Sequence, residues 1–400
     1  MFKAIHSIIC WDPPAGIMGN KLVGFALVLL VAGCKEKFVS PAPSVVTGYL
    51  VVEGVINNDG GETNIRLSRT TNLNDTRNIL ETGAIVNLEN GNNTPIQLLE
   101  SSAGNYTVDN LHLDPAIKYR LSIKTSNNEE YLSDFGSVRN NPPIDSVNWE
   151  RENNGVHIYV NTHDPQNNTR YYQWEYNETW EFHSHYNASL KLVKGLPPND
   201  FKNVAVVYRQ PGDPEIYTCW QFNASNSILL GSSAKLSQDI IHLPVTQIPA
   251  ADWKLSVLYS IIVKQYAWSK EGYEFLERMK KNTESVGSVF DAQPSELNTN
   301  FHCTTNPNQP VIGFFNICTI REKRIFIDNN ELPQWGFRMA CNNPIIENNP
   351  DSIFFKAGGL LPTTIDKMGA FGSIITFYAS ESICVDCTLR GTNVKPTYWP

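Results

Sequence analysis

The chain has 400 residues, a formal net charge of −8 and 41% hydrophobic residues, enough apolar mass for two or three domains. An acidic balance of this kind excludes the basic footprint that nucleic acid requires, and it offers no attraction to an anionic membrane surface.

The first informative segment is Leu22-Val-Gly-Phe-Ala-Leu-Val-Leu-Leu-Val31. It is uncharged, follows Lys21, and is far shorter than the roughly twenty residues that cross a bilayer. Those features are the n-region and h-region of a secretory signal. The segment runs into Val31-Ala32-Gly33-Cys34, which resembles a bacterial lipobox, where small residues fit the peptidase and the thiol accepts a diacylglycerol. Cys34 is therefore expected to be the lipidated first residue of the mature chain. Residues 1–33 form the signal peptide, and translation is expected to begin at Met18, since Met18-Gly-Asn-Lys21 is a better n-region than Trp11-Asp12-Pro13-Pro14. No second apolar stretch is long enough to span a bilayer, so the lipid on Cys34 is the expected membrane anchor. Residues 34–46 read as a polar, Pro-containing tether. No Asp follows Cys34, so the inner-membrane retention cue is missing, and the expected location is the outer membrane, on its periplasmic or surface face.

Residues 47–139 read as short strands separated by turn signals. Leu50–Ile56 precedes Asn57-Asn-Asp-Gly-Gly61, and Thr63–Ser68 alternates polar with apolar side chains. Further strands are expected at 84–88, 96–99, 105–108 and 119–124. This spacing without helical periodicity predicts a β-sandwich. Leu113-Asp-Pro-Ala-Ile-Lys-Tyr119-Arg-Leu121 resembles the tyrosine corner of immunoglobulin-like and fibronectin III sandwiches.

Asn140-Asn-Pro-Pro143 reads as an interdomain linker, and residues 144–400 as a larger β-rich domain with one clear α-helix. Strands are expected at 144–150, 156–162 and 170–182. In the last of these, Tyr172, Trp174, Tyr176, Trp180 and Phe182 take even positions, while Gln173, Glu175, Asn177, Thr179 and Glu181 take odd ones. Period-two alternation puts the aromatics on one face, and core packing is the expected use of that face. A sugar-stacking platform using Trp174, Tyr176 and Trp180 is the competing use. The helix spans 270–282, with Ser269 as its N-cap and Tyr273, Phe275, Leu276 and Met279 as its apolar stripe. Residues 287–294 return to loop, and strands resume at 310–315, 324–327 and 373–379.

Chemistry is sparse. Beyond Cys10 and Cys34, the cysteines are Cys219, Cys303, Cys318, Cys341, Cys384 and Cys387, an even set compatible with disulfides in an exported chain. Cys384-Val-Asp-Cys387 lacks what a redox motif needs, because Asp386 opposes thiolate formation. A structural disulfide, local or to another cysteine, is expected there. One such knuckle also lacks the second that a structural zinc site requires. His183-Ser-His185 could present two imidazoles, but no third ligand is nominated, so neither a metal nor a cofactor is expected. Glu175, Glu178 and Glu181 are expected to be solvated. No phosphate loop, GxSxG elbow or HExxH helix occurs.

Several of these segments together resemble the domain of unknown function family DUF4249: Tyr49–Glu53 with Ile65–Arg69, Tyr172–Phe182, Ile228–Leu236, Tyr259–Tyr266, Gly287–Ser295, Lys323–Ile327 and Cys384–Trp399. That resemblance implies an outer-membrane lipoprotein of Bacteroidota, commonly encoded near TonB-dependent receptors, with no established activity or catalytic residues. Ile317-Cys318 departs from the pattern, which implies a free thiol at Cys318. The resulting expectation is a non-enzymatic lipoprotein that partners a TonB-dependent receptor in nutrient uptake. The alternatives are a stand-alone surface protein binding glycan or peptide, and an enzyme of unknown type.

Overall fold

The computed structural model describes residues 48–71, 77–91, 95–194, 204–284 and 298–400. The signal peptide, Cys34, the tether and the Gly287–Ser295 segment lie outside the described residues. The fold is mainly β, as the alternating patterns require, and Lys270–Glu284 is its long helix. Two short helices not expected from sequence, Pro350–Phe355 and Ser382–Val385, are added near the C-terminus.

The N-terminal module is an 11-stranded, partly closed sheet. Its main path runs Phe301–Cys303, Glu130–Ser133, Lys118–Lys124, Ile85–Asn90, Ile96–Ser102, Asn105–Val108, Thr63–Arg69, Leu50–Glu53 and Val311–Gly313. Leu50, Ile65, Leu67, Val86, Leu121, Ile123 and Tyr131 fill its interior. The Tyr119 hydroxyl accepts from the Asp114 amide at 3.0 Å, so the corner resemblance has its expected geometry. The module is not confined to residues 47–139. Val311–Gly313 pairs in parallel with Leu50–Val52, and Phe301–Cys303 pairs with Tyr131–Ser133. Such partners lie about 170–260 residues away along the chain and leave no trace in local periodicity.

The larger module packs two sheets face to face. Ile144–Glu152, Gly155–Asp164 and Asp239–Pro249 form one. The other centres on the 13-residue strand Tyr171–His183, flanked on one side by Leu258–Ala267 and then Arg321–Asp328. Its other edge pairs with two separate strands, Thr218–Ala224 and Leu229–Ser232. Val156, Ile158, Val160, Tyr172, Trp174, Phe182, Tyr259 and Ile261 meet in the core between the sheets. A smaller module follows, in which Ile345–Glu347, Ile374–Glu381 and Leu360–Met368 form a three-stranded sheet over a core around Phe377, Ala379 and Leu190.

The expected linker is not a free hinge. Asn141 is buried, and its side chain donates to the Gln265 carbonyl at 2.6 Å. The buried Gln265 side-chain amide donates to Asn141 Oδ1, the Pro142 carbonyl and Thr162 Oγ1, and its oxygen accepts from Trp174 Nε1 at 3.0 Å. Proline and asparagine are good loop formers, but buried polar groups need partners, and those partners tie the segment down. Replacing Gln265 with Leu strands the Trp174 and Asn141 groups. It should lower unfolding free energy by about 2–5 kcal/mol in denaturant titration, from the 1–3 kcal/mol typical of each buried group left unpaired.

Candidate functional site

The most developed concavity is a cleft of about 530 Å³ where the two β modules meet. One wall is the N-terminal sheet, from Val51 to Val55 and Ile312 to Phe314. The opposite wall is the outward face of the central strand, with Gln173, Glu175 and Asn177 at odd positions. The long helix closes a third side with Phe275, Leu276 and Met279, above Trp268. Its N-cap forms as the sequence requires, Ser269 Oγ accepting from the Gly272 amide at 3.0 Å.

A gap in strand pairing shapes the rim. Residues 225–228 link the two strands that share one edge of the central strand, so they bulge instead of pairing along it. Ser225 spans the gap, its amide donating to the Tyr176 carbonyl at 2.8 Å and its hydroxyl accepting from the Tyr176 amide at 3.1 Å.

Charge in this cleft is largely spoken for. Lys264 pairs with Glu322 at 3.0 Å. Glu175 accepts from the Tyr266 hydroxyl at 2.9 Å, and burial, then that carboxylate, raise the Tyr266 pKa. Glu53 lies 4.0 Å from Arg66. No histidine or cysteine lines the cleft. The set suits binding by apolar contact and hydrogen bonds, and it contains no nucleophile paired with a base.

Of the candidate site residues singled out from the sequence, Glu175 and Tyr176 line this cleft and the others lie elsewhere. Trp174 and Trp180 are buried in the core, and half-buried Tyr176 donates to Thr246 Oγ1 at 3.2 Å. Trp174 and Trp180 are therefore unavailable as a sugar platform, because core packing covers them, and only Tyr176 reaches the cleft. His183 stacks on Tyr217 at 4.5 Å and lies 3.3 Å from Glu181, while His185 packs edge-on against Tyr186. Among the described residues no group of three or more His, Cys, Asp or Glu could hold a metal.

The cysteines of the Cys384–Cys387 motif are bonded to two different distant partners, Cys387 to Cys219 and Cys384 to Cys341. Cys318 is a free thiol, as the departure at Ile317-Cys318 implied, and so is Cys303, which leaves two bridges among the described residues. These two lie in different hydrophobic clusters. Complete burial pushes the Cys318 thiol up to about 12, so it stays protonated and inert.

Glu178 also departs from expectation. It is buried, accepting from Lys254 Nζ at 2.7 Å, the Tyr259 hydroxyl at 2.7 Å and Asn223 Nδ2 at 2.9 Å. Its even position already placed it on the aromatic face, a signal that parity counting alone contains. The cleft itself had no such signal, since its lining comes from five separated stretches of chain.

With this geometry in hand, the chain was compared with known proteins. The model of the domain of unknown function family DUF4249 matches residues 35–324. The chain belongs to the DUF4249 family. No curated protein sequence matches this DUF4249 chain. Among solved structures, it is similar to chitinase ChiA74 from Bacillus thuringiensis at 13% identity and a TM-score of 0.15, with 50% of this chain and 29% of the chitinase covered. The chain therefore spans under a third of that protein, and a similarity this low carries no inference about fold or activity.

Non-reducing peptide mapping should recover Cys219–Cys387 and Cys341–Cys384 peptides. Cys303 and Cys318 should resist iodoacetamide until the protein is denatured. A Cys384–Cys387 peptide would contradict the assignment.

Proposed function

We propose that this DUF4249 protein is a non-enzymatic, lipid-anchored outer-membrane protein of a Bacteroidota cell envelope that assembles with a TonB-dependent receptor in nutrient uptake. The observation that carries the reading is the apolar surface of the C-terminal module. Phe354, Phe355, Met368 and Phe371 are all exposed there, as are Ile345 and Ile375. Phe371 is fully solvent-exposed at the turn between Leu360–Met368 and Ile374–Glu381, and its backbone is left-handed at φ 59°. A left-handed aromatic costs about 1–2 kcal/mol and an exposed one contributes no burial, so neither feature serves the fold. So many large apolar side chains left exposed on one small module favour an interaction surface there. A lipid on Cys34 would hold such a surface beside membrane partners.

A second reading, a stand-alone surface protein binding glycan or peptide, is favoured by the 530 Å³ cleft, whose apolar helix wall faces a polar strand.

A mild-detergent pull-down of the tagged protein from its native membrane, read by mass spectrometry, separates the two. The receptor reading expects a TonB-dependent receptor in stoichiometric amount. Changing Phe354, Phe355, Met368 and Phe371 together to Ser should cut its recovery at least tenfold, the scale of losing a few anchoring side chains, with the melting temperature retained. Recovery of the lipoprotein alone sinks that reading. Separately, Cys34→Ser should move the protein from the membrane fraction to the soluble fraction in cell fractionation.

A further inference from the structure

On the far side of Phe314 lies a second cleft of about 400 Å³, walled by Phe135, Phe314 and Phe315 and carrying Arg139 and Glu271. Arg139 is fixed by its backbone, which donates to the Ile317 carbonyl at 3.0 Å and accepts from the Thr319 amide at 3.1 Å. Its half-buried guanidinium has no hydrogen bond and no ion pair within 4.0 Å among the described residues. Burial lowers its pKa, opposed by longer-range attraction to Glu271.

Arg69 shows how the same fold treats a cation that is only structural. It reaches Glu81 at 2.6 Å, Glu129 at 3.2 Å, the Tyr131 hydroxyl at 3.2 Å and the Gly48 carbonyl at 3.0 Å. The Arg139 nitrogens keep contact with solvent and pair with no carboxylate among the described residues, so its donors are available to a ligand's acceptor. A planar carboxylate is the acceptor that matches its fork.

The opposite charge stands in the same cleft. Glu271 is held at the start of the long helix by its own backbone amide and the Ser269 side chain, and these lower its pKa. Arg139 and Glu271 thus face one aromatic-walled cavity without touching, which leaves a gap for a ligand bearing both complementary charges. A volume of about 400 Å³ falls in the range of small-molecule sites. We propose that this cleft binds a free α-amino acid with an apolar side chain, its carboxylate on Arg139, its ammonium toward Glu271 and its side chain against the phenylalanines. This site is independent of the receptor reading, which concerns a different module.

Isothermal titration of the full chain with L-leucine tests it against two half-ligands, 4-methylpentanoate (no amine) and 3-methylbutylamine (no carboxylate). Leucine should bind at least tenfold more tightly than either, since each half-ligand gives up one charge-assisted contact. Arg139→Gln should lose at least tenfold, and Arg139→Lys should fall between, keeping the charge without the fork. Glu271→Gln alters an exposed side chain, so it should stay folded. It should remove the preference for leucine over 4-methylpentanoate without weakening 4-methylpentanoate binding, since the carboxylate loses a like charge nearby. The proposal is overturned by no leucine binding up to about 10 mM, the weak end of specific affinity. It is overturned equally by half-ligands that match leucine, or by a Glu271→Gln protein that still prefers leucine.

Discussion

The buried amide of Gln265 joins the segment 140–143, the sheet strand Gly155–Asp164 and Trp174 of the central strand through hydrogen bonds. Asn141 extends the network to Thr319, whose hydroxyl accepts the Asn141 amide at 2.8 Å, and to Arg321, whose Nε donates to the Asn141 carbonyl at 3.2 Å. A low-dielectric network of this kind is stable only when complete, so it acts as a single latch between modules. Residues 47–400 consequently form one compact unit despite their separate cores. Both clefts lie along the seam that this latch holds, on either side of Phe314. Their walls come from elements that could not stay in register if the linker were loose.

The molecule handles desolvated charge in two distinct ways. Glu178 and Arg69 sit among apolar neighbours and have several partners each, which makes them structural. Half-buried Arg139 has none among the described residues, although it lies within Coulombic reach of Glu271. The contrast is informative because a partly desolvated cation without a carboxylate partner keeps its donors open to an incoming acceptor. Unpaired charge in a cavity therefore points outward to a ligand, whereas paired charge in a core points back to the fold.

The C-terminal module has a small core, and covalent bonds compensate for it. Cys387 joins it to Cys219, on a strand of the central sheet, and Cys341–Cys384 closes a second loop. Long loops closed this way restrict the unfolded chain most. The C-terminal tail adds to the hold on the central sheet, with Trp399 Nε1 donating to Glu181 at 2.8 Å and the Tyr398 hydroxyl 2.7 Å from Thr179 Oγ1. Anchored this way, the module can leave Phe354, Phe355, Met368 and Phe371 outside its core.

Much of this was legible from residue order, because the signals involved are local. Alternation along Tyr171–His183 identified a strand and its buried face, Ser269 with the Tyr273-to-Met279 stripe located the helix, and Leu113–Leu121 marked the corner at Tyr119. Side-chain parity and capping operate within a few residues, so the sequence carries them directly. What it could not carry was pairing across distance. The recruitment of Phe301–Cys303 and Val311–Gly313 into the N-terminal sheet, the separate partners of Cys384 and Cys387, the locking of residues 140–143 and the isolation of Arg139 all depend on which surfaces meet after collapse. Those choices are made by burial and by hydrogen-bond completion over the whole chain, so only the tertiary structure decides them.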